Sequence, residues 1–201
     1  MTENSKGKIG GLLLAAGGSS RLGRPKQLVK YQGKTLIRRA AETLVDASCD
    51  PIVVVLGAEI DGSTSEIADL PVQIYINQDW ETGMSSSIRT GLKELLKIEP
   101  DLAAVIVTLC DQPYILSSIL ATYITRFDAD RTEIIAAQYE EIKGVPALFP
   151  RIMFEALLKL VGDKGAGDLI RSSKNVLLID LAEAVLDIDT LEDLNKLSTP
   201  C

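Results

Sequence analysis

The stretch Leu12–Lys26 reads L-L-L-A-A-G-G-S-S-R-L-G-R-P-K, and the rest of the chain can be organised around it. Its apolar run stops abruptly at Gly17–Ser20, and two cations, Arg21 and Lys26, follow. Because glycine lets backbone N–H groups approach an anion and serine adds hydroxyl donors, the pattern predicts a buried strand that runs into a phosphate-binding loop. Arg21 and Lys26 would neutralise the charge of a polyphosphate. A glycine-rich turn with two solvated cations is the simpler interpretation.

The loop lacks the G-K-[ST] ending of the common P-loop and the G-x-G-x-x-G spacing of dinucleotide folds. It resembles the signature L-A-A-G-x-S-x-R-[ML]-G-x-x-K of nucleotidyltransferases that make NDP-sugars. The resemblance is closer to the molybdopterin cytidylyltransferase and MobA-like NTP transferase group. It implies that Arg21 and Lys26 are catalytic and that this segment binds the nucleotide through Leu14, Ala15, Ala16, Gly17, Gly18, Ser19, Arg21, Gly23 and Lys26.

Length and composition favour one domain over residues 1–201, with a flexible N-terminus at 1–8, because 201 residues with 46% hydrophobic content can bury a large core. Three cysteines, Cys49, Cys110 and Cys201, are odd in number and widely spaced, which argues against a disulfide framework and a zinc site. The absence of histidine excludes Ser-His and Cys-His catalysis. Any metal is therefore expected on carboxylates.

The charge distribution indicates which kinds of partner the protein can bind. A net charge of −7 disfavours nucleic acid, whereas the local cationic patch 21–30 suits a small anion. The N-terminus is polar, and no stretch approaches the roughly 18 apolar residues of a membrane span. We expect a cytoplasmic protein with no membrane or nucleic-acid partner.

Apolar patterning predicts strands that alternate with helices. Strands are expected at 51–56, 72–76, 103–109, 133–138, 144–149, 176–179 and 184–188, and helices at 34–47, 61–70, 115–127, 151–161 and 191–197, with a further helix that begins within 77–91. The strand at 103–109 is the most hydrophobic and should be central. The fold class is α/β, a three-layer α/β/α sandwich with a mostly parallel, Rossmann-like sheet, which the resemblance identifies with the nucleotide-diphospho-sugar transferase fold.

The segment 77–91 reads N-Q-D-W-E-T-G-M-S-S-S-I-R-T-G, a polar turn that enters a helix through serines able to cap it. A long loop followed by a helix cap accounts for it equally well. The segment also resembles the family's N-x-x-W-x-x-G-M-x-S-S, which lies against the nucleotide. That resemblance implies nucleotide contacts from Asn77, Gly83 and Ser86.

The central strand ends in Asp111-Gln112-Pro113, at the edge where open α/β sheets place ligands. An aspartate after a strand is also a common helix N-cap. D-Q-P is similar to the metal-binding aspartate motif of the same group. The resemblance therefore implies that Asp111 coordinates Mg²⁺ and contacts the nucleotide.

Three later segments complete the resemblance. G-V-P-A-L-F at 144–149 is similar to the family's acceptor-side segment, although an edge strand would also tolerate its proline. G-D-K-G-A-G at 162–167 resembles G-D-x-G-A-R, with Gly167 in place of arginine, and Lys164 or Arg171 is a candidate substitute. Acceptor contacts are thus implied for Gly144, Pro146 and Asp163. D-I-D-T at 187–190 implies that Asp189 is a second metal ligand, with helix capping by Asp189 or Thr190 as the alternative.

The resemblance implies a Mg²⁺-dependent transfer of CMP from CTP, or of another nucleotide, to the terminal phosphate of molybdopterin. The resemblance favours CTP over GTP, because the first strand ends in A-A-G, as in the cytidylyltransferases, whereas the guanylyltransferases more often have A-G-G. A client molybdenum enzyme or its chaperone is a further expected partner. Two alternatives stay open: a sugar- or polyol-phosphate nucleotidylyltransferase, and a non-catalytic nucleotide-binding maturation protein for molybdenum enzymes.

Overall fold

A computed structural model describes residues 7–19, 22–181, 188 and 192–193 of the chain, apart from the side chains of Ala129 and Lys164. Its main sheet has the strand order β5-β4-β1-β6-β8-β7-β9. The strands are β1 (Ile9–Ala15), β4 (Ile52–Leu56), β5 (Gln73–Ile76), β6 (Ala104–Leu109), β7 (Ile134–Tyr139), β8 (Ile142–Pro150) and β9 (Val176–Asp180). A small hairpin of β2 (Lys30–Tyr31) and β3 (Lys34–Thr35) stands apart from this sheet.

The helices cover both faces of the sheet. They are α1 (Leu36–Asp46), α2 (Asp61–Ile67), α3 (Met84–Ile98), α4 (Ser117–Ala129), α5 (Phe154–Leu158) and α6 (Gly167–Ser172). Helices α1 and α4 pack together on one face, and α3 packs with α5 on the other. The predicted three-layer architecture is confirmed. None of these helices is long and apolar enough to cross a membrane.

Strand β1 shows why the central strands are apolar throughout. Leu13 and Ala15 point into the core on one face, whereas Leu12 and Leu14 point into the core on the other. The strand pairs in parallel with β4 and β6, both of which are almost wholly buried. Because helices cover both faces, each side chain of these strands needs to be apolar. β6 is the middle strand of the described sheet, as predicted.

Strand β8 corrects one sequence-based alternative. The segment 144–149 is not an edge strand, because β8 lies between β6 and β7 and is antiparallel to both. Pro146 fits there because the pairing with β7 is irregular between Ala136 and Ala137, which interrupts the ladder where a proline N–H would be missing.

Two further expectations need adjustment. The helix predicted at 151–161 is short, because a 3-10 turn, Arg151–Met153, precedes α5 and the helix ends at Leu158. The helix predicted at 34–47 begins at Leu36, because Lys34 and Thr35 belong to the β2–β3 hairpin that follows the 3-10 turn Lys26–Leu28. The strand predicted at 184–188 and the helix at 191–197 fall almost wholly outside the described residues.

Candidate active site

Two side chains, one in the loop after β1 and one beyond it, hold the loop in place. Gln27 is almost fully buried, and its Nε2 donates to the carbonyl oxygens of Ala15, at 2.9 Å, and Gly17, at 2.8 Å. Ser19 Oγ accepts a hydrogen bond from the backbone N–H of Lys26 at 2.7 Å. The loop is therefore folded back on the segment that carries Lys26. Arg21 lies outside the described residues.

Lys26 and Asp111 meet at the carboxyl end of the central strands. Lys26 begins a 3-10 turn, Lys26–Leu28, and its Nζ forms an ion pair with Asp111 Oδ2. Their side chains are 18% and 9% exposed. The chain brings together, from 85 positions apart, the cation and the carboxylate that the sequence selected.

The second oxygen of the Asp111 carboxylate is buried, and Oδ1 has no hydrogen-bond partner among the described residues. A buried anionic oxygen without a donor is costly unless a ligand satisfies it. The helix-cap alternative is wrong for Asp111, because the residue before α4 is Leu116. The backbone N–H of Ile188 donates to the carbonyl oxygen of Asp111 at 3.0 Å.

The polar residues at the start of α3 hold the preceding turn in place by hydrogen bonds among themselves. Asn77 Nδ2 donates to Ser86 Oγ at 2.7 Å and to Ser87 Oγ at 3.0 Å, and Asn77 Oδ1 accepts from the N–H of Asp79. Ser86 Oγ in turn donates to the carbonyl oxygen of Asp79 or Gly83. These bonds fix the turn 77–83, and neither Asn77 nor Ser86 lines the cavities described below.

The prediction that serine caps α3 is wrong. Gly83 occupies the N-cap position and makes no side-chain cap, while the serines lie inside the first turn and are buried. Gly83 has a φ of +109°, a conformation that side chains disfavour, and Asp163 and Gly162 pack where its Cβ would stand. Glycine at 83 thus brings Asp163 next to the entry of α3.

A cavity of about 420 Å³ opens above the Lys26–Asp111 pair. Its walls come from the end of β1, the end of β6, the turn before α3 and Asp163. The lining residues are Leu14, Ala15, Ala16, Gly17, Lys26, Trp80, Glu81, Gly83, Met84, Leu109, Cys110, Asp111 and Asp163. Its volume lies in the range of roughly 300–1,000 Å³ typical of small-molecule sites.

A second cavity of about 550 Å³ lies on the other side of the loop. The two cavities share Gly17 and Trp80. The other residues that line the second one are Gly18, Ser19, Gly23, Arg24, Pro25, Gln27, Ala58 and Glu59. The nucleotide-binding residues predicted from the loop are therefore divided between two adjoining concavities.

Trp80 lines both cavities, although the sequence did not single it out as a site residue. A Cβ added at Gly57 would lie 2.6 Å from the indole Cγ, and one at Gly18 would lie 3.1 Å from Cη2. The indole thus packs against bare backbone from two loops. The signal available was its place in the N-x-x-W segment, together with Gly57 directly after β4.

Cys110 also lines the cavity, directly before Asp111. Burial, with a smaller contribution from the Asp111 charge, raises the pKa of its thiol to about 12. Because the thiolate is the nucleophilic form of cysteine, this thiol is unsuited to covalent catalysis near neutral pH.

Other predicted residues lie away from the main cavity. Gly144 and Pro146 are on β8 and line neither cavity; between them, the Val145 carbonyl oxygen accepts from Gln112 Nε2 at 3.3 Å. At Gly167, an added Cβ would lie 3.0 Å from Arg171 Nη1, so the Arg171 guanidinium covers this glycine. That guanidinium is paired with Asp168.

The second predicted metal ligand, Asp189, lies outside the described residues. Within the described part of the chain, no three histidine, cysteine or acidic side chains form a group that could hold a metal ion. Asp111 is the carboxylate that fits a hard cation, because it is held at the cavity floor with one buried oxygen available.

A glycine-serine loop at the end of β1, with a lysine and an aspartate at one cavity floor, is the arrangement expected of an enzyme that handles a phosphorylated nucleotide. The chain belongs to the MobA-like NTP transferase domain family, which it matches over residues 11–176. It is therefore a nucleotidyltransferase. The resemblance seen in the sequence is confirmed.

Two curated relatives have different functions in their names. The chain is 32% identical to nicotine blue oxidoreductase from Paenarthrobacter nicotinovorans, over 94% of this chain and 96% of that protein. It is 30% identical to a probable molybdenum cofactor guanylyltransferase from Bacillus cytotoxicus, over 78% of this chain and 75% of that protein.

Solved structures give the same fold. The structure of Rv0371c from Mycobacterium tuberculosis H37Rv has a TM-score of 0.82 and 31% identity, and covers 95% of this chain and 97% of its own. A complex of Rv0371c with manganese has a TM-score of 0.78 and 28% identity, and covers 94% of this chain and 97% of its own.

Proposed function

We propose that this nucleotidyltransferase transfers CMP from CTP to the terminal phosphate of molybdopterin, or of its molybdenum form, with release of pyrophosphate. The observation that carries the proposal is the Lys26–Asp111 pair at the cavity floor, beside a loop built to bind phosphate. In the reaction, an acceptor phosphate oxygen forms a bond to the α-phosphorus of the nucleotide. The bond from that phosphorus to the bridging oxygen breaks, and pyrophosphate leaves with the electron pair.

The absence of histidine suits this chemistry. A phosphate nucleophile is already ionised at neutral pH, so no side chain has to remove a proton from it. The remaining tasks are positioning and charge neutralisation. Lys26, with three donors on a compact ammonium, would hold the triphosphate and the departing pyrophosphate. Arg21, by its place in the signature, would share that task.

We assign Mg²⁺ as the divalent cation, with Asp111 as a ligand. The buried Oδ1 of Asp111 supports this assignment. When bound, the cation supplies charge stabilisation to the phosphate oxygens. Asp189 as the second ligand is supported by its chain neighbour Ile188, whose N–H bonds to the Asp111 carbonyl oxygen. Rv0371c, which is similar to this chain, has been solved as a complex with manganese, and this supports a divalent cation here.

The acceptor is proposed to enter beside Asp163, which lines the same cavity as Lys26 and Asp111. Gly144 and Pro146 would act on that side through β8, although neither lines the cavity. A client molybdenum enzyme or its chaperone, and a cytoplasmic location, belong to the same proposal.

The base is the least constrained part of the proposal. Ala15 and Ala16 line the cavity and are the residues by which the first strand resembles the cytidylyltransferases. GTP is a second candidate because the molybdenum relative from Bacillus cytotoxicus is named a guanylyltransferase. A sugar- or polyol-phosphate acceptor stays the alternative to molybdopterin.

A different class of activity is suggested by nicotine blue oxidoreductase, which matches nearly the whole chain. Its identity of 32% is the observation in favour of an oxidoreductase function. The sequence lacks the G-x-G-x-x-G spacing that binds dinucleotides, which weighs against that candidate. Oxidation of NADH or NADPH in the presence of nicotine blue would support it.

The deciding experiment measures pyrophosphate release from CTP, GTP, ATP and UTP with Mg²⁺, with and without molybdopterin. We expect release that requires molybdopterin and is fastest with CTP. Faster release with GTP would show that the enzyme prefers guanine to cytosine. Release that requires a sugar phosphate would show that the acceptor is not molybdopterin. No release with any nucleotide would refute the proposal, and dye-dependent oxidation of NADH or NADPH would then support the oxidoreductase candidate.

A further inference from the structure

One cluster connects the segment that carries Lys26 to the segment that carries Asp111. It consists of Tyr31, Arg39, Pro113 and Tyr114, and we call it the Arg39 clamp. Tyr31 belongs to the hairpin that follows Lys26, and Pro113 and Tyr114 directly follow the Asp111-Gln112 pair. Arg39 belongs to α1, which packs into the core through Ile37, Ala41 and Leu44.

Arg39 contacts both segments. Its guanidinium carbon lies 4.8 Å from the centre of the Tyr31 ring, and its Nη2 donates to the Pro113 carbonyl oxygen at 3.4 Å. The rings of Tyr31 and Tyr114 meet edge to face, with centres 5.9 Å apart and an interplanar angle of 83°. Cation–π and edge-to-face contacts are both attractive and directional, so they fix orientation as well as distance.

The hairpin is fixed on Arg39 through its turn as well. Gln32 and Gly33 have φ values of +49° and +83°, as a two-residue type I′ turn requires. Arg39 Nη1 donates to Gln32 Oε1 at 3.3 Å, and Gln32 Nε2 donates to Tyr31 Oη at 3.2 Å. Arg39 thus contacts the turn, the strand before it and the loop after Asp111.

We propose that Arg39 is a positioning residue for the transfer reaction. By bracing the hairpin and the 111–114 loop against α1, it fixes how far Lys26 Nζ stands from Asp111 Oδ2. The inference rests on the proposed roles of Lys26 and Asp111 in phosphate transfer. A displacement of about 1 Å between reacting groups can cost on the order of a hundredfold in rate.

The chain offers a matched control one residue away. Arg38 lies on the same helix, but its guanidinium contacts Glu42 within α1 and, in the α2 region, Asp69 and the carbonyl oxygen of Glu66. Neither Lys26 nor Asp111 belongs to those segments. Among the described residues, Arg38→Ala removes the same charge and four side-chain hydrogen bonds, against two for Arg39→Ala, without touching the clamp.

The first test compares steady-state kinetics of pyrophosphate release. Arg39→Ala is expected to lower kcat by about 10- to 100-fold, with the KM of the nucleotide nearly unchanged, because the pair is misplaced rather than lost. Arg39→Lys should recover part of kcat, since lysine keeps the cation but not the planar fork. An equal loss in Arg38→Ala, or unchanged kcat in Arg39→Ala, overturns the inference.

The second test does not depend on turnover. The rate at which trinitrobenzenesulfonate modifies Lys26 is measured by peptide mass spectrometry in the wild type, Arg39→Ala, Arg38→Ala and Asp111→Asn. Faster modification is expected in Arg39→Ala, approaching Asp111→Asn, because the ion pair opens; Arg38→Ala should match the wild type. An unchanged rate in Arg39→Ala refutes the clamp.

The two proposals fail in distinguishable ways. A wild type that transfers no nucleotide refutes the proposed function, whereas the modification rates still decide whether Arg39 sets the ion pair. If Arg39→Ala does not fold, Arg39→Gln takes its place, since it removes the cation but keeps a side chain with an N–H donor.

Discussion

Two ion pairs of this protein differ in how completely the carboxylate is used. Arg38 binds both oxygens of Asp69 at 2.8 Å in a bidentate pair at the surface. Lys26 binds one oxygen of Asp111 at a cavity floor, and the other oxygen is buried without a donor among the described residues. Asp69 is 65% exposed, whereas Asp111 is 9% exposed.

This difference distinguishes an ion pair that only stabilises the fold from one that can bind a ligand. A bidentate guanidinium–carboxylate pair meets the needs of both groups and leaves nothing for a ligand. A buried carboxylate with a free oxygen, next to an ammonium, has charge and hydrogen-bonding capacity that only a further group can complete. The Arg38–Asp69 pair therefore joins α1 to the segment after α2, whereas the Lys26–Asp111 pair is the one that we propose serves the reaction.

The largest effect is expected from Lys26→Ala and Asp111→Ala. Each should lower kcat/KM for pyrophosphate release by about 10²- to 10³-fold, because each removes charge stabilisation that is greatest in the transition state. Arg38→Ala and Asp69→Ala are the matched controls and should stay within a few-fold of the wild type. Activity of Lys26→Ala or Asp111→Ala close to the parent, with circular dichroism unchanged, would remove both residues from the mechanism.

A thermal-shift series tests whether the free oxygen of Asp111 binds a cation. CTP with Mg²⁺ or Mn²⁺ should raise the Tm of the wild type, because a ligand that binds only the native state stabilises it by about 2.7 kcal/mol at 100 times its Kd. Asp111→Asn should lose the cation-dependent part of the shift, and Asp69→Asn should keep it. Equal shifts in the two variants would contradict the comparison.

A smaller effect is expected at the end of β1. Ala16 directly follows β1 and lines the cavity, and Ala16→Gly converts A-A-G into A-G-G. If the end of this strand selects cytosine, the ratio of kcat/KM for CTP over GTP should fall in the variant. Competition between the two nucleotides measures this ratio, and an unchanged ratio would remove Ala16 from base selection.

The smallest effect is expected from acid at the surface pair. Hydrogen bonds from Arg38 lower the pKa of Asp69 to about 2, against an ordinary value of about 3.9. The pair therefore contributes stability above pH ~4, and this contribution is lost as the pH falls towards 2. Urea unfolding of the wild type and Asp69→Asn from pH 5 to pH 2 measures this contribution. The difference between their free energies of unfolding should shrink as the pH falls. A difference independent of pH would show that the lost hydrogen bonds, rather than the charge, matter.

Local patterning predicted the parallel half of the fold well. Runs such as I-V-V-V-L at 52–56 are buried on both faces, and only a covered parallel strand needs that composition. The Lys26–Asp111 meeting was also predictable, because the ends of parallel strands share one edge. The single-domain organisation and the roles of individual site residues stay predictions.

The antiparallel half was predicted less well. Residues 144–149 have a proline and mixed burial, so the pattern could not tell an edge strand from an inner strand next to an irregular register. The serines after Gly83 matched a helix cap by composition, yet the hydroxyl oxygens of Ser86 and Ser87 accept hydrogen bonds from Asn77 Nδ2 instead. Which partner a short polar side chain takes depends on contacts across the fold that no local pattern contains.

The sequence by itself determined the α/β class, the glycine-serine loop and the two charged residues of the site, because periodicity and residue chemistry act locally. The tertiary structure alone decided that one oxygen of Asp111 stays without a donor and that Trp80 separates two cavities. It also brought Arg39 against both segments that carry the charged pair. These features depend on distances between segments far apart in the chain, which are fixed only when the core packs.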